Sequence, residues 1–322
     1  MDTVQRMINR LEAGSATFEC GGYISKLDPF IRTSIYTRLL FERLQRKNDY
    51  IVNLYKNGGL KWEQVVYVLL FRFLGAPANT EAFEKLARLI PYTVTHRYRR
   101  SEQSLEALLI GGSGLLDIYP NNTYTQELRV QFEYLSQKHN LQKMSASEWT
   151  LNRIYPKNNP VLRIFQVVSI LSQPNFDIEA VLACRTAEDV GRLFMHEAEE
   201  SRLAQFVSFM ESAKECGRIG RGKSDILAIN VVAPVQFSYG SYIDSDRLRD
   251  RALNLLDSTP AENNAKVRRW SNNGLIPLSA FETQVLIQLG DEYCLKRRCR
   301  ECPVGEQIIK SLKETCKLKE NK

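Results

Sequence analysis

The sequence has only three histidines among its 322 residues, and they are scattered along the chain. It therefore carries no signal of acid–base catalysis by histidine. It also lacks any run approaching 18 apolar residues, and its amino terminus has no basic region followed by an apolar core. These absences predict neither a membrane span nor a secretory signal, and hence a cytoplasmic protein without a membrane partner.

Sustained alternation of apolar and polar residues, which is typical of half-buried strands, is missing too, and we find no internal repeat. Apolar residues recur instead at helical spacing. We therefore expect a mainly α fold, a globular array of about a dozen helices with a carboxy-terminal cysteine-rich metal-binding loop. A polar stretch at residues 140–158 predicts a boundary between a first helical lobe (1–140) and a second (141–322), unless the two form one continuous domain.

Several helix starts have clear local signals. Asp28-Pro29 and Asn159-Pro160 combine N-cap and first-turn chemistry, and Ser279 followed by Glu282 has the spacing of a capping box. A further helix is predicted over residues 260–270.

The composition allows a large core, since 43% of the residues are hydrophobic. Lys and Arg exceed Asp and Glu by 44 minus 37, a net charge of +7. This excess favours a polyanionic partner such as DNA or RNA, although a merely basic surface explains it equally well. Seven cysteines, an odd number with three crowded near one end, favour a reducing compartment and metal binding over a disulfide framework.

The three crowded cysteines are Cys294, Cys299 and Cys302, and Pro303 follows directly. Proline at the first helical position makes Cys302 an N-cap, where the helix dipole and nearby arginines should favour the thiolate that binds metals. The spacing suits a zinc ion and a [4Fe-4S] cluster equally well. Three free cytosolic thiols are the alternative.

A closed four-coordinate site needs one more ligand. Cys316 is excluded, because it lies along the same predicted helix roughly 20 Å away at about 1.5 Å per residue. The remaining candidates are Cys20, Cys184, Cys216, His96, His139 and His196.

One short segment interleaves rings with cations, as proteins that hold single-stranded nucleic acids often do. It consists of His96, Arg97, Tyr98, Arg99 and Arg100. A plain basic turn is the alternative.

The run from Gly217 to Ser224 matches the phosphate-binding P-loop pattern, but that loop works between a buried strand and a helix, and no strand is predicted here. Nucleotide binding at this motif is therefore a minor hypothesis. Contact of Arg218, Arg221 and Lys223 with a phosphate backbone is a simpler one, and a flexible basic linker is the remaining alternative.

Five polar residues stand out in or near apolar surroundings. They are Glu106, Arg163, Asn230, Glu262 and Asn264. Because buried polar groups are costly unless paired, we expect each to have a structural partner. The sequence alone indicates no group of residues that would meet in a catalytic site. Whether the chain is an enzyme therefore stays open, and we favour the view that it is not.

Short sequence motifs follow one another along the whole chain in a recognisable order. They include Leu40-Phe41-Glu42-Arg43-Leu44 with Lys47, then Trp62, Phe73-Leu74-Gly75 with Asn79, Glu106-Ala107-Leu108-Leu109, Ile229-Asn230 with Pro234, Glu262 with Asn264, and Gln284 and Gln288 ahead of the cysteine motif. This ordered set resembles the bacterial family catalogued as domain of unknown function 2851.

The resemblance implies that related proteins carry an additional amino-terminal domain suggestive of a PD-(D/E)xK nuclease, which we expect this chain to lack. It also implies a cysteine at the position of Cys20, which favours Cys20 as the fourth ligand. We therefore expect an accessory, nucleic-acid-contacting helical module stapled by a cysteine-bound metal. The alternatives are a protein-interaction module without a nucleic-acid role and, third, P-loop-like phosphate or nucleotide binding.

Overall fold

The computed structural model describes residues 3–15, 18–119, 121–152, 158–206 and 217–320, without the side chains of residues 3, 4, 57 and 315–320. Throughout these ranges the regular structure is helical, and the β-type pairing is confined to two isolated bridges, Glu197 with Arg218 and Pro260 with Ser279. The prediction of a mainly α fold is confirmed. No helix in the described part is long and apolar enough to cross a membrane.

The α-helices are, in chain order, α1 (Thr3–Glu12), α2 (Gly21–Ile24), α3 (Pro29–Val52), α4 (Trp62–Gly75), α5 (Thr80–Leu89), α6 (Tyr92–Arg97), α7 (Glu102–Gly112), α8 (Thr123–His139), α9 (Pro160–Leu171), α10 (Ile178–Ala183), α11 (Ala187–Phe194), α12 (Glu200–Leu203), α13 (Arg221–Leu227), α14 (Ala233–Tyr242), α15 (Asp246–Ser258), α16 (Ala265–Ser271), α17 (Ala280–Gln288) and α18 (Pro303–Glu320). Single π-helical turns occupy Asn53–Asn57, Ala228–Val232 and Leu289–Cys294, and short 3-10 turns occupy Leu115–Asp117 and Ala146–Glu148.

The chain divides into two compact units. The terminal unit combines residues 1–49 with residues 256–322, and the central unit contains residues 50–255. Residues 140 and 141, where the sequence predicted a boundary between lobes, both lie in the central unit.

The central unit is built around α4, whose apolar run is buried along most of its length. This helix packs against α5 and α9, and α7 packs against α8 and α9. The ring of Phe83 lies 6.2 Å from Phe71 and 5.1 Å from Trp149, measured between ring centroids. The indole N–H of Trp149 donates to the carbonyl of Ser113 over 2.8 Å, so this buried donor is satisfied.

The terminal unit brings both ends of the chain together. Helix α1 packs against α18, and an ion pair of 2.9 Å joins Glu12 to Lys313 across that contact. Trp270 on α16 is almost fully buried, and its indole N–H donates to the carbonyl of Leu286 on α17 over 2.8 Å. The unit therefore has its own small core.

Most of the predicted helix starts agree with the structure, because they are local hydrogen bonds. The side chains of Asp28, Asn159 and Ser279 accept backbone N–H groups at the starts of α3, α9 and α17. The predicted helix over 260–270 is wrong in its first half. The side-chain oxygen of Asn264 caps the helix that begins at Ala265, and Pro260 instead pairs with Ser279.

We expect Phe165→Ala to lower the free energy of unfolding by about 3–5 kcal/mol, because the ring on α9 is 1% exposed and its loss leaves a cavity. Denaturant titration followed by circular dichroism measures the change. Val130→Ala is the control, since Val130 is 68% exposed and its truncation should change stability by less than about 0.5 kcal/mol. Equal effects of the two substitutions would contradict the described core.

Candidate metal centre

Four cysteines line one small cavity in the terminal unit. They are Cys20, Cys294, Cys299 and Cys302, each no more than 7% exposed. The cavity has a volume of about 10 Å³. The other residues that line it are Leu11, Leu289, Tyr293, Val304 and Gly305.

The three carboxy-terminal cysteines are positioned by the junction between the π-helical turn and α18. Cys294 is the last residue of the turn, and Cys302 directly precedes α18. The loop between them turns at Arg297, which has a φ of 55°. A Cβ atom on Gly305 would lie 2.3 Å from the carbonyl oxygen of Cys299, so only glycine lets this loop fold back onto the helix.

Cys20 reaches the same cavity because the amino-terminal segment packs against the cysteine loop. Gly14 adopts a left-handed φ of 67°, and a Cβ atom there would lie 2.4 Å from the carbonyl oxygen of Arg297. Next to Cys20, the ring of Phe18 packs edge-on against Trp270, with centroids 5.0 Å apart. The structure thus places Cys20 at the same cavity as the three cysteines of the motif.

The four thiols influence one another's ionisation. Burial raises the pKa of Cys20, and the neighbouring Cys294, Cys302 and Cys299 raise it further. Burial raises the pKa of Cys294 to about 12 and that of Cys302 to about 11. For Cys302, burial outweighs the backbone N–H groups of Gly305 and Val304, which lower its pKa.

A bound cation would lower the pKa of these thiols, because a thiol that coordinates a metal loses its proton. In the described part of the chain, however, no three Cys, His, Asp or Glu side chains form a group with the geometry of a metal-ion site.

The other ligand candidates lie elsewhere. Cys184, His96, His139 and His196 belong to the central unit. Cys216 and the side chain of Cys316 lie outside the described residues.

A second candidate site is a cleft of about 910 Å³ in the central unit, which we call the α6 cleft. Its lining includes Lys61 and Gln64 at the start of α4, Arg88 on α5, Tyr92, His96 and Arg97 on α6, and Glu63, Asp177 and Glu179. The rings of Tyr92 and His96 lie 5.2 Å apart.

The basic segment predicted from the sequence only partly lines this cleft. His96 and Arg97 do so, and both are exposed. The Tyr98 hydroxyl instead bonds to the Nε2 atom of His139 over 2.9 Å, and Arg99 lies 3.0 Å from the Nε2 atom of His96. Arg100 is exposed.

Sequence reasoning missed Lys61, Arg88 and Tyr92 as neighbours of this segment. Lys61 and Arg88 lie outside α6, and nothing in the local sequence around either indicates that it meets this segment. Tyr92 lies on α6 itself, four residues before His96, and that helical spacing was the available signal.

The P-loop-like motif makes internal contacts in this structure. Lys223 donates to the carbonyls of Phe73, over 3.3 Å, and Ala76, over 3.0 Å, at the end of α4. Burial and, to a lesser extent, the positive charge of Arg163 lower its pKa to about 8.

The two arginines of the motif are ion-paired. Arg221 contacts Glu188 at 2.8 Å and Asp225 at 3.2 Å, and Arg218 lies 4.0 Å from Glu197. Residues 207–216, which precede the motif, lie outside the described residues, so phosphate binding there stays a prediction.

The polar candidates in the central unit have the partners that burial requires. Glu106 accepts from Arg202 over 2.9 Å and from the Tyr124 hydroxyl, and burial raises its pKa despite both contacts. Arg163 donates to Gln166 over 2.7 Å and to Asn158 over 2.8 Å. The Asn230 amide donates to the carbonyl of Ile226 over 3.0 Å.

The polar candidates in the terminal unit belong to its helix contacts. Asn264 caps α16 by accepting from Lys266 and Val267, both over 3.0 Å. Glu262 accepts from Gln284, whose amide oxygen in turn accepts from Arg43 over 3.2 Å.

A neighbouring polar network reaches the cysteine cavity and was missed as a site. Glu42 on α3 accepts from Gln288 over 3.2 Å and from the Tyr293 hydroxyl over 2.8 Å. Tyr293 also lines the cysteine cavity. The available signal was Gln284 and Gln288, two amides one turn apart on the same helix.

Comparison with known proteins gives one family. The matching family model is DUF2851, described as a protein of unknown function, and it covers residues 1–265. The matched range includes Cys20 and ends before the cysteine motif. No curated protein and no solved structure gives a significant match.

We expect Gly305→Ala to lower the free energy of unfolding by about 1–3 kcal/mol, because the new methyl group collides with the Cys299 carbonyl and displaces the cysteine loop. Gly22→Ala is the matched control, since a Cβ atom there meets nothing within 4 Å. It should change stability by no more than about 1 kcal/mol. Denaturant titration distinguishes the two, and an unaffected Gly305→Ala variant would contradict the tight loop.

Proposed function

The chain belongs to the DUF2851 family of proteins of unknown function, and we propose that it is a helical module whose terminal unit holds a metal centre on Cys20, Cys294, Cys299 and Cys302. One observation carries this proposal: four cysteines from the two ends of the chain line a single buried cavity. Four thiolates are a complete ligand set for zinc and for an iron–sulfur cluster.

Such a centre acts as a staple. Its ligands lie on the segment before α2 and on the loop before α18, so a bound metal links two segments that are distant in sequence. Because ligands in an unfolded chain are dispersed, the binding free energy contributes directly to folding. Free thiols of this kind require a reducing compartment, for which we propose the cytoplasm.

We expect Cys20→Ser to abolish retention of the metal and to lower the free energy of unfolding by more than about 3 kcal/mol. Elemental analysis of the purified protein and denaturant titration give the two readouts. Cys184→Ser is the matched control, because Cys184 is also buried, but its thiol lies in the central unit, 3.3 Å from the Ala180 carbonyl oxygen. If the Cys20→Ser and Cys184→Ser variants retained equal amounts of metal, the proposal would be contradicted.

A second candidate function is contact with single-stranded DNA or RNA at the α6 cleft. What supports it is the combination of the Tyr92 and His96 rings with the cations Lys61, Arg88 and Arg97 along one cleft. Rings stack on bases of any sequence, and cations contact the phosphates.

The cleft also has acidic residues, and these restrict where a backbone could run. Glu63, Asp177 and Glu179 line it with the cations. We therefore propose that the phosphates contact Arg97 in the cleft and Arg99 and Arg100, which follow it in the chain. With this nucleic-acid-binding function, the module would be an accessory to nuclease-like proteins.

We expect the triple variant with Arg97, Arg99 and Arg100 replaced by alanine to bind a single-stranded oligonucleotide at least about tenfold more weakly than the wild type at low salt. The slope of log K against log salt should become shallower by about 2, because three phosphate contacts are lost. Fluorescence anisotropy at several salt concentrations measures both quantities.

The control replaces three other exposed arginines of the central unit, Arg185, Arg192 and Arg247, and so removes the same charge. It should retain most of the affinity. Equal losses in both triple variants would show a net-charge effect only, and a wild type that does not bind at low salt would leave the protein-interaction alternative.

A further inference from the structure

We infer that the carboxy-terminal half of α8 forms a further contact surface for a single nucleic-acid strand, with a base stacked on the ring of Tyr134 and a phosphate bound by Lys138. This inference rests on the second proposed function, since it presupposes that the central unit binds single-stranded DNA or RNA. It extends that function beyond the α6 cleft to residues of another helix. Three observations carry it: the exposure of the Tyr134 ring, the contact between α8 and the end of α6, and the charges that no carboxylate neutralises.

Tyr134 and Lys138 lie one turn apart on α8. Tyr134 is 61% exposed, and Lys138 is exposed too. The Nζ atom of Lys138 lies 5.5 Å from the ring centroid of Tyr134, a distance at which an aromatic ring attracts a cation. This contact places a positive charge next to a ring that is largely open to a ligand.

The end of α6 contacts the end of α8. The Tyr98 hydroxyl bonds to the Nε2 atom of His139 over 2.9 Å, and the Tyr98 ring centroid lies 5.9 Å from the Nζ atom of Lys138. Tyr98 directly follows Arg97, which lines the α6 cleft. Burial lowers the pKa of His139, and the charges of Lys138 and Arg97 lower it further, so both cations lie near its ring. The α8 surface therefore adjoins the cleft at Arg97.

The cations of this surface are not neutralised by carboxylates. Among the residues that the structure describes, Arg97, Arg100 and Lys138 form no ion pair. Lys143, farther along the chain, is by contrast paired with Asp117 at 2.9 Å. Charges without such a partner attract a polyanion.

The exposed ring favours a single strand over other polyanions. Unpaired bases offer faces on which an aromatic ring stacks, whereas the bases of a duplex are stacked on one another. An acidic peptide offers negative charge without bases. The combination of an open ring with adjacent cations therefore matches single-stranded DNA or RNA best.

The acidic residues of α8 limit the extent of this surface. Glu127 precedes Tyr134 by about 10 Å along the helix, and its charge repels phosphates. Glu133 is the neighbour of Tyr134 in the chain, but it lies about 100° away around the helix axis. The strand therefore follows the last two turns of α8 and passes Tyr98 on its way to the α6 cleft.

The test is fluorescence anisotropy with the full chain and a labelled single-stranded oligonucleotide at low salt. We expect Tyr134→Ala to weaken binding at least about fivefold, because one stacked base is lost, and Tyr134→Phe to stay within about twofold of the wild type, because it keeps the ring. Val130→Ala is the control, since Val130 lies one turn before Tyr134 on α8 and is 68% exposed. It should bind as the wild type does.

The contribution of Lys138 is tested by the dependence on salt. Lys138→Gln should make the slope of log K against log salt shallower by about 0.7, because one phosphate contact is lost. Lys143→Gln removes the same charge from an exposed, ion-paired position and should leave the slope unchanged. Equal changes in the two variants would show a net-charge effect and overturn the role of Lys138.

Inorganic polyphosphate tests whether a base stacks on Tyr134, because it has phosphates but no bases. Tyr134→Ala should bind polyphosphate as tightly as the wild type does. An equal loss of affinity for polyphosphate and for the oligonucleotide would overturn the stacking.

The outcomes separate this inference from the function on which it rests. If the wild type binds the oligonucleotide and Tyr134→Ala binds it equally well, the α8 surface is overturned and the α6 cleft is left intact. A wild type that does not bind at low salt overturns both. Tighter binding of polyglutamate than of the oligonucleotide would overturn the inference in favour of an acidic protein segment.

Discussion

The terminal unit depends on the contact between the segment that carries Cys20 and the loop that carries the other three cysteines. Cys294 comes 274 positions after Cys20 in the chain, yet both line one cavity. Two glycines allow this approach, since Gly14 and Gly305 each lie against a loop carbonyl where no side chain fits. A metal at this position would add a covalent-like link to a contact that packing alone already forms.

In the cysteine cavity, burial and charge have opposite effects on the pKa of the thiols. Burial in this apolar cavity raises the pKa of the thiols, although the start of α18 offers N–H groups to Cys302. A cation of high charge would lower these pKa values again, in keeping with the proposed metal centre. The network of Glu42, Gln288 and Tyr293 beside it is already paired, and its role in the unit is to orient Tyr293 against the cavity.

Local interactions were predictable from the sequence, and distant ones were not. The caps at Asp28, Asn159 and Ser279 depend on residues within one turn, so their chemistry is visible in the sequence. The start of α16 was missed, because Pro260 resembles a first-turn proline while Asn264 caps the helix. Cys20 could be assigned only through a family resemblance, since its neighbours lie at the other end of the chain. The α6 cleft could not be predicted, because its residues come from separate helices.

X-ray absorption spectroscopy at the edge of the bound metal tests the central claim most directly, since it counts the atoms around that metal. For the wild-type protein the account predicts a shell made of sulfur alone. For Cys20→Ser it predicts loss of the bound metal or a spectrum with one oxygen in place of a sulfur. A nitrogen-containing shell, or a Cys20→Ser spectrum identical to that of the wild type, would contradict the meeting of both chain ends at one metal centre.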